Sequence, residues 1–299
     1  MGQSHGVEYR GEGEGGGKIV SDSSLLNVLP ENCISHIISF TSPLDACVIS
    51  SVSKTFQSAV NSDILWEKFL PPKYESLVPR SWDFSSKKEL YFALCDNPVL
   101  SDGGEMSFWL EKASGKWCIM LLAMNLSIAW GDNPAHWQWI RIPEARFGIV
   151  AELVSVYWFD ICGKMNTRVL SPGTRYSAYI VFKKEDDCDG FEDVAIEAAV
   201  GVVGQEPSRR FIYFDEAMDG QFRWRERGRR NLVTSEERKD GWMEIELGGF
   251  FNEGEMYSDD EIEITVRETE DLNWKCGLII QGIEIRPAKI LLSNAENTG

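Results

Sequence analysis

Near residue 108 the apolar side chains of this chain change period. Before it they recur at helical spacing; beyond it they alternate in short runs broken by turn signals, as on strands. Segments of such different period do not merge into one sheet or one bundle, so the chain is expected to be α+β and multidomain. Its 299 residues suit about two domains. Apolar residues make up 43% of the chain, enough to give each a core.

The helical part runs from Leu25 to about Leu70. Leu29-Pro30 opens a helix with proline at its first position, followed by Ile34, Ile37 and Ile38. Ser42-Pro43 starts a second, with the serine as cap and Leu44, Val48, Val52 and Phe56 as its apolar positions. Ser62 or Asp63 begins a third, with Ile64, Leu65, Trp66 and Phe69, and Pro71-Pro72 ends it. Residues 25–70 are close to the lower limit for burying a core unaided, yet their helices are apolar on more than one face. The surplus marks either a partner surface or a face packed on the next domain, and periodicity leaves both open.

Residues 1–24 are rich in Gly, Ser and Glu and are expected to be a disordered leader. Gly11–Lys18 is no phosphate loop, because Glu12 stands where the first glycine is needed and Ile19 replaces Ser or Thr. Residues 71–107 carry Tyr74, Leu77, Trp82, Phe84, Leu90, Tyr91 and Phe92, too apolar for a free linker; a packed connector with a capped helix over Ser85–Leu94 is predicted. The second domain spans 108–290, and 291–299 form a tail. Strands are predicted at Trp117–Leu121, Val154–Ile161, Tyr176–Phe182, Ala195–Val203, Trp242–Leu247, Glu261–Arg267 and Gly277–Ile285. Such spacing suits a sandwich or a barrel.

Charge and composition exclude several functions. A net charge of −17 repels phosphate backbones and anionic lipid, so neither nucleic acid nor membrane is expected as a partner. The seven cysteines form no Cys-x-x-Cys pair, which argues against a zinc site or disulfide framework and for a reducing compartment. No metal or cofactor is expected. The three histidines (His5, His36 and His136) mark no triad, and no carboxylates are paired as a glycosidase would need. The acidic run Glu185–Gly190 fits no calcium loop and reads as a solvated loop. Arg223–Arg230 is the basic patch of an acidic chain, read as a solvated loop with nuclear import or an anion contact as alternatives.

One segment stands out for chemistry. Ala129–Trp139 reads Ala-Trp-Gly-Asp-Asn-Pro-Ala-His-Trp-Gln-Trp, with a turn signal between Trp130 and the pair Trp137 and Trp139. Indoles around a bend suit a shallow recognition face, and no nucleophile accompanies them, so binding rather than catalysis is expected.

Two resemblances sharpen these expectations. Leu29-Pro30-x-x-x-Ile34-x-x-Ile37-Ile38-Ser39-Phe40, then Pro43-Leu44-Asp45, Val48, Val52-Ser53-Lys54, Phe56 and Trp66, resembles an F-box. The resemblance implies docking to the Skp-type adaptor and cullin scaffold of a ubiquitin ligase through Leu29, Pro30, Ile34, Ile37, Ile38, Leu44, Val48, Val52, Phe56 and Trp66. From about Ser114 to Pro287 the order of motifs is similar to the plant phloem-lectin (phloem protein 2, Nictaba-related) family. It includes Asn125–Pro134, Trp137-Gln138-Trp139, Val156–Lys164, Leu170–Thr174, Arg238–Glu244, Trp274–Leu278 and Gly282–Pro287. That family implies a three-helix F-box followed by an antiparallel β-sandwich, jelly-roll-like, that binds N-acetylglucosamine oligomers or N-glycan cores.

A sugar offers C–H groups on one face and hydroxyls at its rim, so flat rings and a few polar groups suffice to hold it. Trp130 and Trp137 match the tryptophans of the family's sugar site and are expected as stacking platforms, with Trp139 beside them. Asp132, Asn133, Glu261 and Glu268 are the candidate hydrogen-bonding groups, against the plainer roles of turn formation and solvated face. The resulting expectation is a non-catalytic, substrate-recognition subunit of an SCF-type ubiquitin ligase, located in the cytoplasm and, if the arginine-rich loop is an import signal, the nucleus. The alternatives are an F-box adaptor whose β-domain reads a protein surface, and a free lectin.

Overall fold

In the computed structural model the described residues are 29–289, apart from 73, 102, 193, 215–231, 255–259 and 271–272. The leader, the arginine-rich loop and the tail lie outside them.

Four short helices, where periodicity predicts three, begin the described chain: α1 (Glu31–Ile38), α2 (Pro43–Ile49), α3 (Lys54–Val60) and α4 (Asp63–Phe69). Pro30 is the cap of α1 and not its first residue. Ser42 caps α2 in a reciprocal capping box with Asp45. The predicted continuation to Phe56 is cut by serines: Ser50 and Ser51 turn their hydroxyls back on the carbonyls of Cys47 and Val48 at 2.6 and 2.7 Å. Ser53 then goes extended and accepts from the Phe56 N–H at 3.3 Å, so it starts α3 afresh. Ile34, Ile38, Ala59, Val60, Leu65 and Trp66 fill the centre, where the Trp66 indole N–H donates to Val60 O at 2.6 Å.

Helix α5 (Lys87–Asp96) is capped by Ser86 and buries Leu90, Tyr91 and Leu94. Tyr91 lies 5.1 Å from Trp66, centroid to centroid, and its hydroxyl donates to Lys112 O at 3.1 Å. Leu44 N donates to Ala113 O at 3.2 Å. A single apolar cluster therefore runs from Ile34 through Tyr91 to Ile285, without a break between helices and sheets. Gly115 sits at the joint with φ of 71°, where an added Cβ would lie 2.9 Å from Phe69 O.

Fifteen strand segments among the described residues follow: β1 (Val99–Leu100), β2 (Met106–Leu110), β3 (Trp117–Leu122), β4 (Ser127–Ile128), β5 (Trp137–Arg141), β6 (Ile149–Leu153), β7 (Phe159–Asn166), β8 (Thr174–Asp189), β9 (Ile196–Val202), β10 (Ser208–Tyr213), β11 (Leu232–Thr234), β12 (Glu236–Glu237), β13 (Met243–Asn252), β14 (Glu261–Glu268) and β15 (Cys276–Pro287). They form two facing sheets. The larger has the order β1-β2-β3-β15-β8-β13-β12, with β6 also on β15 and β5 on β6; the smaller has the order β11-β10-β9-β14-β7-β4. Pairing is antiparallel except for β10 with β11. This is a largely antiparallel β-sandwich behind a helical unit.

Alternation explains the smaller sheet. Along β14, Ile262, Ile264 and Val266 point into the sandwich while Glu261 and Arg267 meet solvent. In the larger sheet, β3 is buried at every position and β8 from Tyr176 to Phe182. The loop between β5 and β6 covers its outer side with a second small cluster of Met120, Val150, Val181, Trp242 and Ile279. Two differences from the sequence reading matter. Val154–Ile161 is not one strand: the chain leaves β6 at Leu153, loops through 154–158, and re-enters a sheet at Phe159. The acidic run 185–189 is the end of β8, held by Cys276 opposite Asp189, rather than a loop.

Candidate functional site

Two features face solvent. The first is built around the bend before β5. Ile128 O accepts from Gly131 N at 3.0 Å and Trp130 O from Asn133 N at 2.9 Å, two tight turns in succession. Trp130 stands at the third position of the first, with φ of 63°, and is the non-glycine residue with positive φ among those described. This conformation is costly for a bulky residue, and it turns the indole outward, 53% exposed. The loops that flank β7 and β15 bring Tyr157, Trp158 and Trp274 beside it, all exposed. Together with His136 and Val156 these rings line an open groove of about 610 Å³. Tyr157 and Trp274 stack at 3.6 Å, tilted by 34°, and Trp130 lies 5.8 Å from His136. His136 Nδ1 is 2.7 Å from Ser155 O. A carbonyl only accepts, so Nδ1 carries the proton and Nε2 is the acceptor of the neutral ring.

The floor of the groove is charged but sealed. Lys275 is 0% exposed; its ammonium donates to Tyr157 O at 3.2 Å and Asn273 O at 3.1 Å, and pairs with Glu268 Oε2 at 2.6 Å. Val156 and Lys275 also exchange both backbone hydrogen bonds, at 3.0 and 2.8 Å. Gly190, with φ of 82°, lies so close behind Trp274 that an added Cβ would be 1.9 Å from its carbonyl oxygen.

Several expected residues fall elsewhere. Trp137 is not an exposed platform: it is 2% exposed, packs 6.2 Å from Phe159, and donates its indole N–H to Ala129 O at 3.1 Å. It holds the bend from inside. Trp139 is 41% exposed and donates to Gly131 O at 3.0 Å, so it braces the same bend from the middle of β5. Asn133 builds the turn, its side-chain oxygen accepting from Ala135 N at 3.0 Å. Asp132 is exposed on the bend but does not line the groove. Glu268 faces inward to Lys275 and so is neither a solvated side chain nor a lining group. Glu261 lies at the far end of β14, roughly 24 Å from Glu268 at about 3.4 Å per residue. Tyr157, Trp158 and Trp274 are the groove residues that sequence reasoning missed as a site.

The second feature is on the helices. Ile37, Phe40, Leu44, Val48 and Val52 are exposed, Phe40 the most at 79%, with Leu29 and Pro30 at the rim. Ile34, Ile38 and Trp66 are instead core residues, and Phe56 is half-buried against that core. They shape the face without forming it. Exposed apolar side chains in such number on so small a unit suit a partner surface.

The comparisons agree with this division. Residues 26–68 match the F-box domain model, and residues 116–287 match the model of phloem protein 2. Among curated proteins of Arabidopsis thaliana, the chain is 66% identical to F-box protein PP2-B10 over 92% of its own length and 98% of that protein. It is 63% identical to putative F-box protein PP2-B8, over 89% of this chain and 88% of that one. With F-box protein SKIP3 it shares 58% identity over 92% of each. Helices with an exposed apolar face ahead of a β-sandwich thus define a modular F-box protein. Within that class, the chain belongs to the family in which the F-box is joined to a phloem protein 2 domain.

Proposed function

We propose that this protein is the substrate-recognition subunit of an SCF-type ubiquitin ligase. Its F-box docks on a Skp-type adaptor and, through it, a cullin scaffold, and its sandwich captures glycans or glycoproteins that carry N-acetylglucosamine. The observation that carries the sugar reading is the groove of Trp130, Tyr157, Trp158 and Trp274: flat, exposed rings on fixed loops, with the Tyr157 hydroxyl, indole N–H groups and His136 at hand for a sugar's rim. The protein does no covalent chemistry in this scheme; it raises the concentration of cargo near the ubiquitin-charged enzyme. The seven free thiols fit a reducing compartment, cytoplasm or nucleus.

A second reading is favoured by one feature of the lining, which among the described residues contains no Asp, Glu, Lys or Arg. An apolar peptide segment would suit such a groove as well, and the cargo would then be recognised as protein.

Two experiments decide. On a glycan array the full chain binds N-acetylglucosamine oligomers, and Trp130→Ala or Trp158→Ala loses them; an array without signal leaves the peptide reading. Removing one stacking ring costs about 1–3 kcal/mol by analogy with base stacking. Co-purification with a Skp-type adaptor is lost on Leu44→Asp with Val48→Asp, at exposed positions outside the buried core. Retained co-purification would refute the docking surface.

A further inference from the structure

We infer that Lys275 is a positioning residue for the aromatic groove, and that Glu268 is its counterion and not a ligand contact. This rests on the groove being the ligand site.

A fully buried lysine is costly unless every donor is satisfied and its charge neutralised. Here the ammonium donates to Tyr157 O and Asn273 O, and the Glu268 carboxylate, its Oε2 2.6 Å from Nζ, neutralises the charge. Glu268 is itself anchored, its other oxygen accepting from Glu270 N at 2.8 Å. The two carbonyls belong to different loops, one bearing Tyr157 and Trp158, the other bearing Trp274. The ammonium is therefore a clamp between the loops that carry the groove's rings. The backbone bridge between Val156 and Lys275 fixes their separation, and Gly190 pressing on the Trp274 carbonyl closes off retreat from behind. The product of the clamp is the close Tyr157–Trp274 stack. For stability alone, apolar side chains of similar volume serve a buried pair as well or better. What they cannot do is hold two loop carbonyls at one point. Lys275 is buried beneath the lining residues and is not one of them, so its effect on a ligand passes through the rings it places.

The test uses the full chain and N,N′,N″-triacetylchitotriose as probe. Lys275→Met alone strands the Glu268 charge and is the variant at risk of misfolding, so it is paired with the double variant Lys275→Met, Glu268→Leu, which leaves no buried charge. Trp274→Ala identifies the near-ultraviolet circular dichroism of the stacked rings. The expected result is a double variant that melts cooperatively, lacks the signal that Trp274→Ala removes, and binds chitotriose about tenfold more weakly, the worth of one displaced stacking face. A cooperatively folded double variant that keeps both signal and affinity overturns the inference. So does one that fails to fold, since Lys275 would then be a fold determinant. If the parent chain binds no chitotriose, the sugar reading fails by itself, and the dichroism still decides whether the ammonium sets the rings.

Discussion

Trp130 and Trp137 lie one bend apart and have opposite physics. Trp137 is enclosed and hydrogen-bonded, so Trp137→Ala opens a cavity and is expected to cost about 3–5 kcal/mol. Trp130 projects outward from a left-handed backbone. Trp130→Gly removes the ring but also relieves a conformation that costs an L-residue roughly 1–2 kcal/mol, so stability should stay within about 1 kcal/mol of the parent. Urea unfolding of both variants checks this; a large loss for Trp130→Gly would mean its ring is structural. The bend itself was legible because Asp-Asn-Pro marks a turn and indoles flank it. Which indole faces out was not. Trp137 and Trp139 share a side of β5 at strand spacing, and only the position of the strand's end relative to Phe159 and the bend decides that one is covered and the other is not.

Among elements, the helices and strands such as β14 were readable for the reason that they are repetitive: capping serines, proline at α2, and period-two alternation along β14. The Tyr157–Trp158 loop was not, because Val154–Ile161 alternates well enough to pass for a strand, and tertiary pairing of Val156 with Lys275 overrides that pattern. Trp274 is distant in sequence, so no local signal ties it to Trp130. Buried charge was equally hidden. On the outer side of the larger sheet, Glu244 on β13 meets Arg238 at 2.7 Å and Arg286 on β15 at 2.8 Å, and Arg286 stacks on Tyr179 at 3.7 Å. Burial pushes the Glu244 carboxyl up, but the Arg286 and Arg238 guanidinium groups outweigh it and hold its pKa below the usual carboxylate range. A depressed carboxyl stabilises the fold fully above its unfolded value of 4.5, and that contribution disappears as pH falls through the lower folded value. The stability gap between the parent and Glu244→Gln should therefore be constant near neutrality and shrink below about pH 4.5. Denaturation midpoints from pH 7 down to pH 3 measure it; a gap independent of pH would refute the assignment.

For the molecule as a whole, the apolar cluster shared by helices and sandwich predicts one unfolding transition rather than two. Calorimetry of the full chain should give a single peak. Gly115→Val, which strains a positive φ and drives a branched Cβ toward the Phe69 carbonyl, should split that peak or lower it by several degrees while leaving each half's secondary structure intact. A single peak at the parent's temperature would mean the joint tolerates what its geometry forbids. The division into a helical front and a strand-built rear was readable from the change of period near residue 108. A packed connector between them was expected from its apolar content; the particular contacts of the joint (Tyr91 with Trp66 and Lys112, Leu44 with Ala113) were not legible, since they join residues far apart in sequence.

That weld has a consequence for how a cargo would be handled. With the helices and the sandwich sharing one apolar core, a molecule seated over Trp130 and Trp274 would be carried like a tool in a rigid grip. The grip chooses what is held and at what attitude; the lysines that come within reach of a transferring enzyme would then be dictated by the cargo's own shape and not by any swing of its holder.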